Sequence, residues 1–262
     1  MNVLVIGGTR FVGRHIVDAL LAAGHRVTLF HRGKTMLEPR PDVDEIHGDR
    51  NIDLHRAADR IWDAVIDTCG YRPLEAETAS RLFASKGGRY LFISSISVYD
   101  VARAEDLNED APLQRLPPHA DATRVTPETY GALKALCEAI VRSTFRHRAT
   151  ILRPGLVAGP YDPTDRFTYW PLRVDAGGEV LAPVAPSEPV QYIDARHLAA
   201  RRRSPRARCR PRAADRLRDR SRYPRLGSMG GQTCGRARSG TSPESGTGAA
   251  RPGQGDWTAC VK

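Results

Sequence analysis

Asn2-Val3-Leu4-Val5-Ile6-Gly7-Gly8-Thr9-Arg10-Phe11-Val12-Gly13 opens as an apolar run and closes on glycines, and the rest of the chain follows from what such a stretch folds into. The run Asn2–Ile6 has the pattern of a parallel strand covered on both faces. Gly7 permits a tight turn. From there apolar residues recur at helical spacing (Phe11, Val12, Ile16, Leu20, Leu21) up to Gly24, a natural C-cap, so a helix is predicted over 11–23. Gly13 lets that helix pack closely on what precedes it. The free N–H groups of a helix start in this position can hold a pyrophosphate. Glycine is usual at the middle position of such a loop, and here Arg10 stands there. A glycine pattern alone is weak, since small turns between strand and helix are common. Its place directly after the first strand and at the mouth of an amphipathic helix supplies the context that makes it a dinucleotide loop. The expected nucleotide contacts are Gly7, Gly8, Thr9, Arg10, Phe11, Val12 and Gly13.

Further along, Arg26–His31 reads as a second strand and 61–68 as a third apolar run. A helix is predicted over 74–84, a strand over 89–95, a long helix over 128–145 and a strand over 149–153. Strands alternating with helices of this length imply βαβ units and a parallel, doubly wound α/β sheet of the Rossmann type. Right-handed crossovers put the carboxyl ends of the strands on one edge, where ligands bind. Which nicotinamide cofactor fits depends on the end of the second strand, where an acid would accept from the ribose 2′-OH. This chain has His31-Arg32-Gly33-Lys34 instead. Arg32, helped by Arg10 and Lys34, would pair with a 2′-phosphate, so NADP is preferred, with NAD as the alternative. A solvated basic turn is the competing reading of the same residues.

Tyr130-Gly131-Ala132-Leu133-Lys134 places a phenol and an ammonium four residues apart on one face of the long helix. An ammonium beside a phenol favours phenolate, so Lys134 is expected to lower the pKa of Tyr130 toward the range useful for proton transfer. Upstream, Ser94-Ser95-Ile96-Ser97-Val98-Tyr99 ends a strand on the ligand edge and offers a hydroxyl to a substrate oxygen. A Tyr-x-x-x-Lys pair alone recurs by chance. The glycine loop, serine strand end and Tyr-Lys helix in this order are far more specific.

Taken together these motifs resemble the extended short-chain dehydrogenase/reductases, the NAD-dependent epimerase/dehydratase group, in the atypical branch with Gly-Gly-Thr-Arg-Phe-Val-Gly in place of three spaced glycines. The resemblance runs from Met1 to about Ala200. It implies Tyr130 as general acid/base, Lys134 on the nicotinamide ribose, and Ser95 orienting the substrate. It also implies that Asp49 reads the adenine amino group, and that Thr68, in Thr68-Cys69-Gly70, lies where a strand passes the cofactor. Arg153-Pro154-Gly155-Leu156-Val157-Ala158-Gly159-Pro160 resembles the family segment leading to the substrate region. Gln191-Tyr192-Ile193-Asp194-Ala195 resembles a later motif in which a short strand precedes a helix. Ser94 and Ser97 read as structural, Cys69 and Cys137 as small core residues. Phe167, Tyr169 and Trp170 either line a substrate pocket or close a subdomain. Leu133, Leu136, Ile140 and Val141 would suit a homodimer through the Tyr130 helix, and equally a core.

The implied function is NAD(P)-dependent hydride transfer on a carbonyl, alcohol or sugar-nucleotide substrate. The other readings are an RNA-binding relative without catalysis and a non-functional truncated product. The expected organisation is 1–154 for the nucleotide, 155–200 for an incomplete substrate subdomain, and 201–262 as a disordered basic tail.

Charge supports that last boundary. The net charge of +10 over 262 residues suggests nucleic acid until it is divided. Residues 1–200 hold 24 Lys and Arg against 26 Asp and Glu, whereas 201–262 hold 16 against 4. Fifteen of the tail's residues are Arg, and Gly, Pro and Ser supply 20, too little apolar surface to offset the backbone entropy of ordering. A basic arm, a linker and the wrong frame of a GC-rich gene all account for it. The abrupt change at Arg201-Arg202-Arg203 favours the frame error, which leaves nucleic acid as a disfavoured partner. No run reaches the eighteen or so apolar residues of a membrane span. With no room for a signal peptide before Val3 and five scattered cysteines without a Cys-x-x-Cys pair, the expectation is a cytoplasmic protein without a metal site.

Overall fold

The computed structural model describes residues 1–35, 40–103, 107–181 and 190–200. The predicted tail, 201–262, lies outside the described residues. In chain order the elements are β1 (Asn2–Ile6), α1 (Phe11–Ala22), β2 (Arg26–His31), β3 (Asp44–His47), β4 (Trp62–Asp67), α2 (Pro73–Phe83), β5 (Gly87–Ile93), α3 (Pro127–Phe145), β6 (Ala149–Leu152), β7 (Leu156–Ala158), α4 (Tyr169–Asp175), β8 (Tyr192–Asp194) and α5 (Ala195–Ala200).

The first six strands form a wholly parallel sheet in the order β3-β2-β1-β4-β5-β6. This is the strand order of a doubly wound dinucleotide fold, whose direction of winding reverses beside β1, so that a crevice opens between the ends of β1 and β4. Alternation along β1 feeds two cores. Leu4 and Ile6 join Val65, Tyr90 and Phe92 under α2 and α3, where Phe83, Val141 and Phe145 pack. Val3 and Val5 join Val27, Leu29, Ile66 and Ile93 under α1, where Ile16 and Val17 pack. Both faces are dry, which is why the strands read as unbroken apolar runs. Leu156–Ala158 and Tyr192–Asp194 pair in parallel as a separate two-stranded sheet, the second strand leading straight into α5 as its resemblance implied.

Local signals explain the ends. Gly24 (φ +74°) takes the left-handed position after α1, with Gly24 N–H donating to Leu21 O and His25 N–H to Leu20 O, a Schellman closure. Thr126 caps α3 by accepting from Thr129 N–H, and Pro127 follows in the first turn. The strand predicted over 89–95 is shifted: β5 begins at Gly87 and stops at Ile93, so Ser95 falls just beyond it, at the start of a 3₁₀ turn over Ile96–Val98. β3 has no counterpart in the sequence reading. It is a polar edge strand in which only Ile46 turns inward, so it lacks the apolar signature.

These elements lie in one of two compact units, 1–182 with 191–222. The other comprises 183–190 and 223–262, of which only Val190 is described. Among the described residues no helix is long and apolar enough to cross a membrane.

Candidate active site

The glycine turn lies at the carboxyl end of β1. Gly7 and Gly8 take φ values of +95° and +84°, a region that disfavours side chains. A Cβ on Gly8 would come within 2.7 Å of Leu29, and one on Gly13 within 2.8 Å of the Gly8 backbone. The third glycine thus presses α1 against the turn itself. Thr68, at the end of β4, fastens the arrangement: its hydroxyl donates to Ile6 O (2.9 Å) and accepts from Gly8 N–H (3.3 Å). Arg10 is an extended N-cap with an exposed side chain that makes no cap hydrogen bond. The N–H groups of the first turn, Phe11 to Gly13, therefore have no intrahelical acceptor and sit at the positive end of the helix. These donors with Arg10 fit a pyrophosphate. The side chains of Phe11 and Val12 turn away and pack beside Val157, Ala195 and Leu198, so these two positions can offer only backbone. Phe11 holds φ +32°, a strained value for a bulky residue. Thr9 is half-buried beside the turn.

At the end of β2, Arg32 and Lys34 are exposed while His31 points into the β2–β3 edge. His31 pairs in register with His47, and Glu45 reaches both rings, 3.2 Å from His31 Nε2 and 3.0 Å from His47 Nε2. One ligand atom from each of the three lies within 4.8 Å of the others, a grouping that the reading of no metal site did not foresee. Gly33 N–H donates to His31 Nδ1 (3.1 Å). The three form a compact imidazole–carboxylate cluster at the β2–β3 edge. Asp49 accepts from Asn51 N–H (2.9 Å) and from its side-chain amide (2.8 Å). These bonds hold its carboxyl below the ordinary value against the effect of burial, with Arg32 and Lys34 adding to them.

The Tyr-Lys pair sits across the crevice. Gly131 explains how α3 comes so near the end of β5: a Cβ there would stand 2.0 Å from Ser97 O and 2.6 Å from the Gln114 side chain. With glycine next to it, half-buried Tyr130 comes beside the Ser95 hydroxyl, which itself donates to the Ser97 hydroxyl (3.0 Å). Burial raises the Tyr130 pKa, and the Ser95 hydroxyl and the Arg166 charge recover only part of the shift. The expectation that Lys134 lowers Tyr130 is therefore corrected. Lys134 is 2% exposed, and its ammonium donates to Gly70 O (2.8 Å) and Ile93 O (2.6 Å). The carbonyls take up its charge, and burial pulls its pKa down to about 8, with Asp67 pulling the other way.

Beneath the pair lies a network that the sequence did not disclose. Buried Asp67 accepts both guanidinium ends of Arg50 (2.9 Å each), the Tyr90 hydroxyl (3.1 Å) and Cys69 N–H (3.1 Å). Arg50 Nη2 also donates to Glu75 O (3.2 Å). The only trace of this in the sequence is an Asp at a strand end and an Arg directly after Asp49. Burial pushes the Cys69 thiol up to about 11 and Cys137 to about 12, keeping both protonated, in line with their reading as packing residues. Arg153 forks onto buried Glu138 of α3 (2.9 and 2.6 Å) and donates to the Tyr99 hydroxyl (2.9 Å). Phe167 packs on Tyr192 (4.7 Å between rings) and Tyr169 on its neighbour Trp170 (5.2 Å). Of the apolar residues proposed for pairing through α3, Leu133 and Val141 are buried in the core and Leu136 is exposed.

A parallel sheet in this order, with a glycine turn and a Tyr-Lys helix facing one edge, defines a Rossmann-type protein of the short-chain dehydrogenase kind. The chain belongs to the NAD dependent epimerase/dehydratase family, whose model matches residues 3–185. It is 28% identical over 205 residues to the chloroplast stem-loop binding protein of 41 kDa b of Arabidopsis thaliana, a match covering 70% of this chain and 49% of that one. The chain thus spans about half the length of this relative. Among solved structures it is similar to the Bordetella bronchiseptica enzyme WbmG in complex with NAD (TM-score 0.60, 18% identity, 76% of this chain and 66% of that chain). It is also similar to a UDP-galactose 4-epimerase (TM-score 0.57, 19% identity, 76% and 69%).

Proposed function

We propose that the chain is an NAD(P)-dependent oxidoreductase or epimerase that holds a nicotinamide dinucleotide along the carboxyl edge of its sheet and moves a proton through Tyr130. The observation that carries this is the convergence of the free α1 donors, Tyr130 with the Ser95 hydroxyl beside it, and buried Lys134 on that one edge. The N–H groups of Phe11 to Gly13, with Arg10, take the pyrophosphate. Asp49 and His31 serve the adenosine end. Arg32 and Lys34 favour a 2′-phosphate and so NADP over NAD, with Glu45 of the neighbouring strand opposing them. When bound, the nicotinamide supplies or accepts the hydride.

The rest is the work of the chain's own groups. Lys134 spends two of its three N–H donors on Gly70 and Ile93 and keeps one for the ribose. Tyr130, raised by burial, rests as the neutral phenol at pH 7, the form that donates a proton to a carbonyl oxygen being reduced. Ser95 holds the same oxygen. The substrate is a carbonyl, an alcohol or a sugar nucleotide, the last supported by the likeness to a UDP-galactose epimerase. Pairing of two copies through α3 has Leu136 as its exposed apolar anchor.

Calorimetric titration with NADP⁺ and NAD⁺ tests the site. Saturable binding is expected, lost in Gly13→Val and retained in Tyr130→Phe, while Tyr130→Phe lowers turnover by about 10²-fold or more. Binding that survives Gly13→Val unchanged would falsify the assignment of the loop. A second reading, RNA binding, is favoured by the similarity to the stem-loop binding protein over 70% of this chain. It predicts salt-sensitive retention of a stem-loop RNA that persists when Tyr130 is replaced.

A further inference from the structure

We infer that Tyr71 is a positioning residue for the Tyr130–Lys134 pair: its ring roofs the Lys134 ammonium on the solvent side and abuts the Tyr130 ring, fixing both. The Lys134 ammonium lies 4.2 Å from the Phe92 ring centroid and 5.3 Å from that of Tyr71. Phe92 is wholly buried and Tyr71 is 42% exposed, so the ammonium lies against one ring of the core and one ring at the surface. The Tyr71 and Tyr130 rings lie 6.4 Å apart, tilted by 40°. Tyr71 thus meets both members of the pair.

Its own place is fixed from below. Tyr71 N–H donates to Glu75 Oε2 (2.8 Å), and Glu75 is buried and clamped by Arg72 through its backbone N–H (3.1 Å) and Nε (2.9 Å). Gly70, whose carbonyl accepts from Lys134, directly precedes it, and a Cβ on Gly70 would come within 2.8 Å of Phe92 and 2.9 Å of Asp67. Carbonyl and roof therefore sit on one short, rigid turn. Removing the roof lets water reach the ammonium, which favours its charged form. Keeping an aromatic ring without the hydroxyl leaves this contact intact, because a cation is attracted to the ring face.

The importance of this for catalysis rests on the proposed function, but the hold on Lys134 can be measured without a substrate. The chain has four lysines, Lys34, Lys86, Lys134 and Lys262. Selective lysine labelling therefore gives few NMR signals, and the Lys134 resonance is assigned by Lys134→Met. The charged and titratable groups acting on Lys134 are Asp67 of β4, Cys69 and Arg50 of the adjoining loops and Cys137 of α3. None of them is altered by the substitutions at Tyr71. The Lys134 midpoint is expected near 8 in the wild type and in Tyr71→Phe. In Tyr71→Ala, which opens the ammonium to water, it is expected to rise by about one unit or more, whereas Tyr71→Leu, which keeps water out but removes the ring face that attracts the cation, is expected to lower it. A midpoint unmoved in both, or moved as far by Tyr71→Phe as by Tyr71→Ala, overturns the inference, as does a wild-type midpoint at the ordinary lysine value. NADP⁺ titration of the same samples separates the two readings. Lysine responses as expected without dinucleotide binding would sink the proposed function and leave the roof standing. Binding without those responses would remove the roof alone.

Discussion

The glycine turn and the Tyr-Lys pair face the same crevice but are built in opposite ways. The turn is local: its geometry comes from residues 7–13 and one hydroxyl, Thr68, beneath them. The pair is assembled from far apart, Lys134 being held by carbonyls 64 and 41 residues away. A site made of backbone takes its properties from its own sequence. A site made of ionisable side chains takes them from whatever the fold brings against it, which is why Tyr130 is raised rather than lowered.

The sharpest break of this contrast is beneath the pair. Burial pushes Asp67 up, and the Arg50 charge and hydrogen bonds more than offset it, so its carboxyl lies below the ordinary value. Arg50→Met strands that carboxylate in the core and is expected to cost about 3–5 kcal/mol in urea unfolding. A loss under 1 kcal/mol would mean the network is dispensable to the fold.

Lys134 offers the next test. Its folded pKa is pulled down to about 8 from 10.5. Between those values the unfolded chain binds more protons than the folded one, so stability should rise with pH across that window. Subtracting the profile of Lys134→Met isolates the effect from the cysteines and tyrosines that titrate nearby. The difference should grow by on the order of 2–3 kcal/mol from pH 8 to 10.5. A flat difference would show a hydrated lysine.

The smallest expected change is the most local. Gly131→Ala must move the Ser97 carbonyl aside and is expected to cost about 1–3 kcal/mol. It should also part Tyr130 from Ser95, lowering turnover while NADP⁺ affinity holds. Unaltered turnover would show that the two hydroxyls need no such close approach.

Much of the architecture was legible because both faces of the main sheet are covered: Val3 to Ile6 alternate between two dry cores and leave an unbroken apolar run, and Val27, Leu29 and Phe30 of β2 divide between the same cores. β3 escaped because an edge strand with one inward residue has no such run. Within the site, Gly7, Gly13, Ser95, Tyr130 and Lys134 stand out by spacing. Arg50, Asp67, Glu45 and Tyr71 do not, because each takes its meaning from a partner that only the folded sheet supplies. Gly131 is the intermediate case: it stands inside the quoted motif, yet its necessity shows only when the Ser97 carbonyl is seen against the helix.

The fork from Arg153 onto Glu138 bears on how the site can move. Glu138 lies one turn beyond Lys134, as Lys134 lies one turn beyond Tyr130, so one stripe of α3 is tethered to the sheet at two successive levels. The helix can neither roll nor slide without breaking a charged contact at each level. Tyr130, one turn before Lys134 on the same stripe, thus rides on a helix anchored to the sheet from two sides.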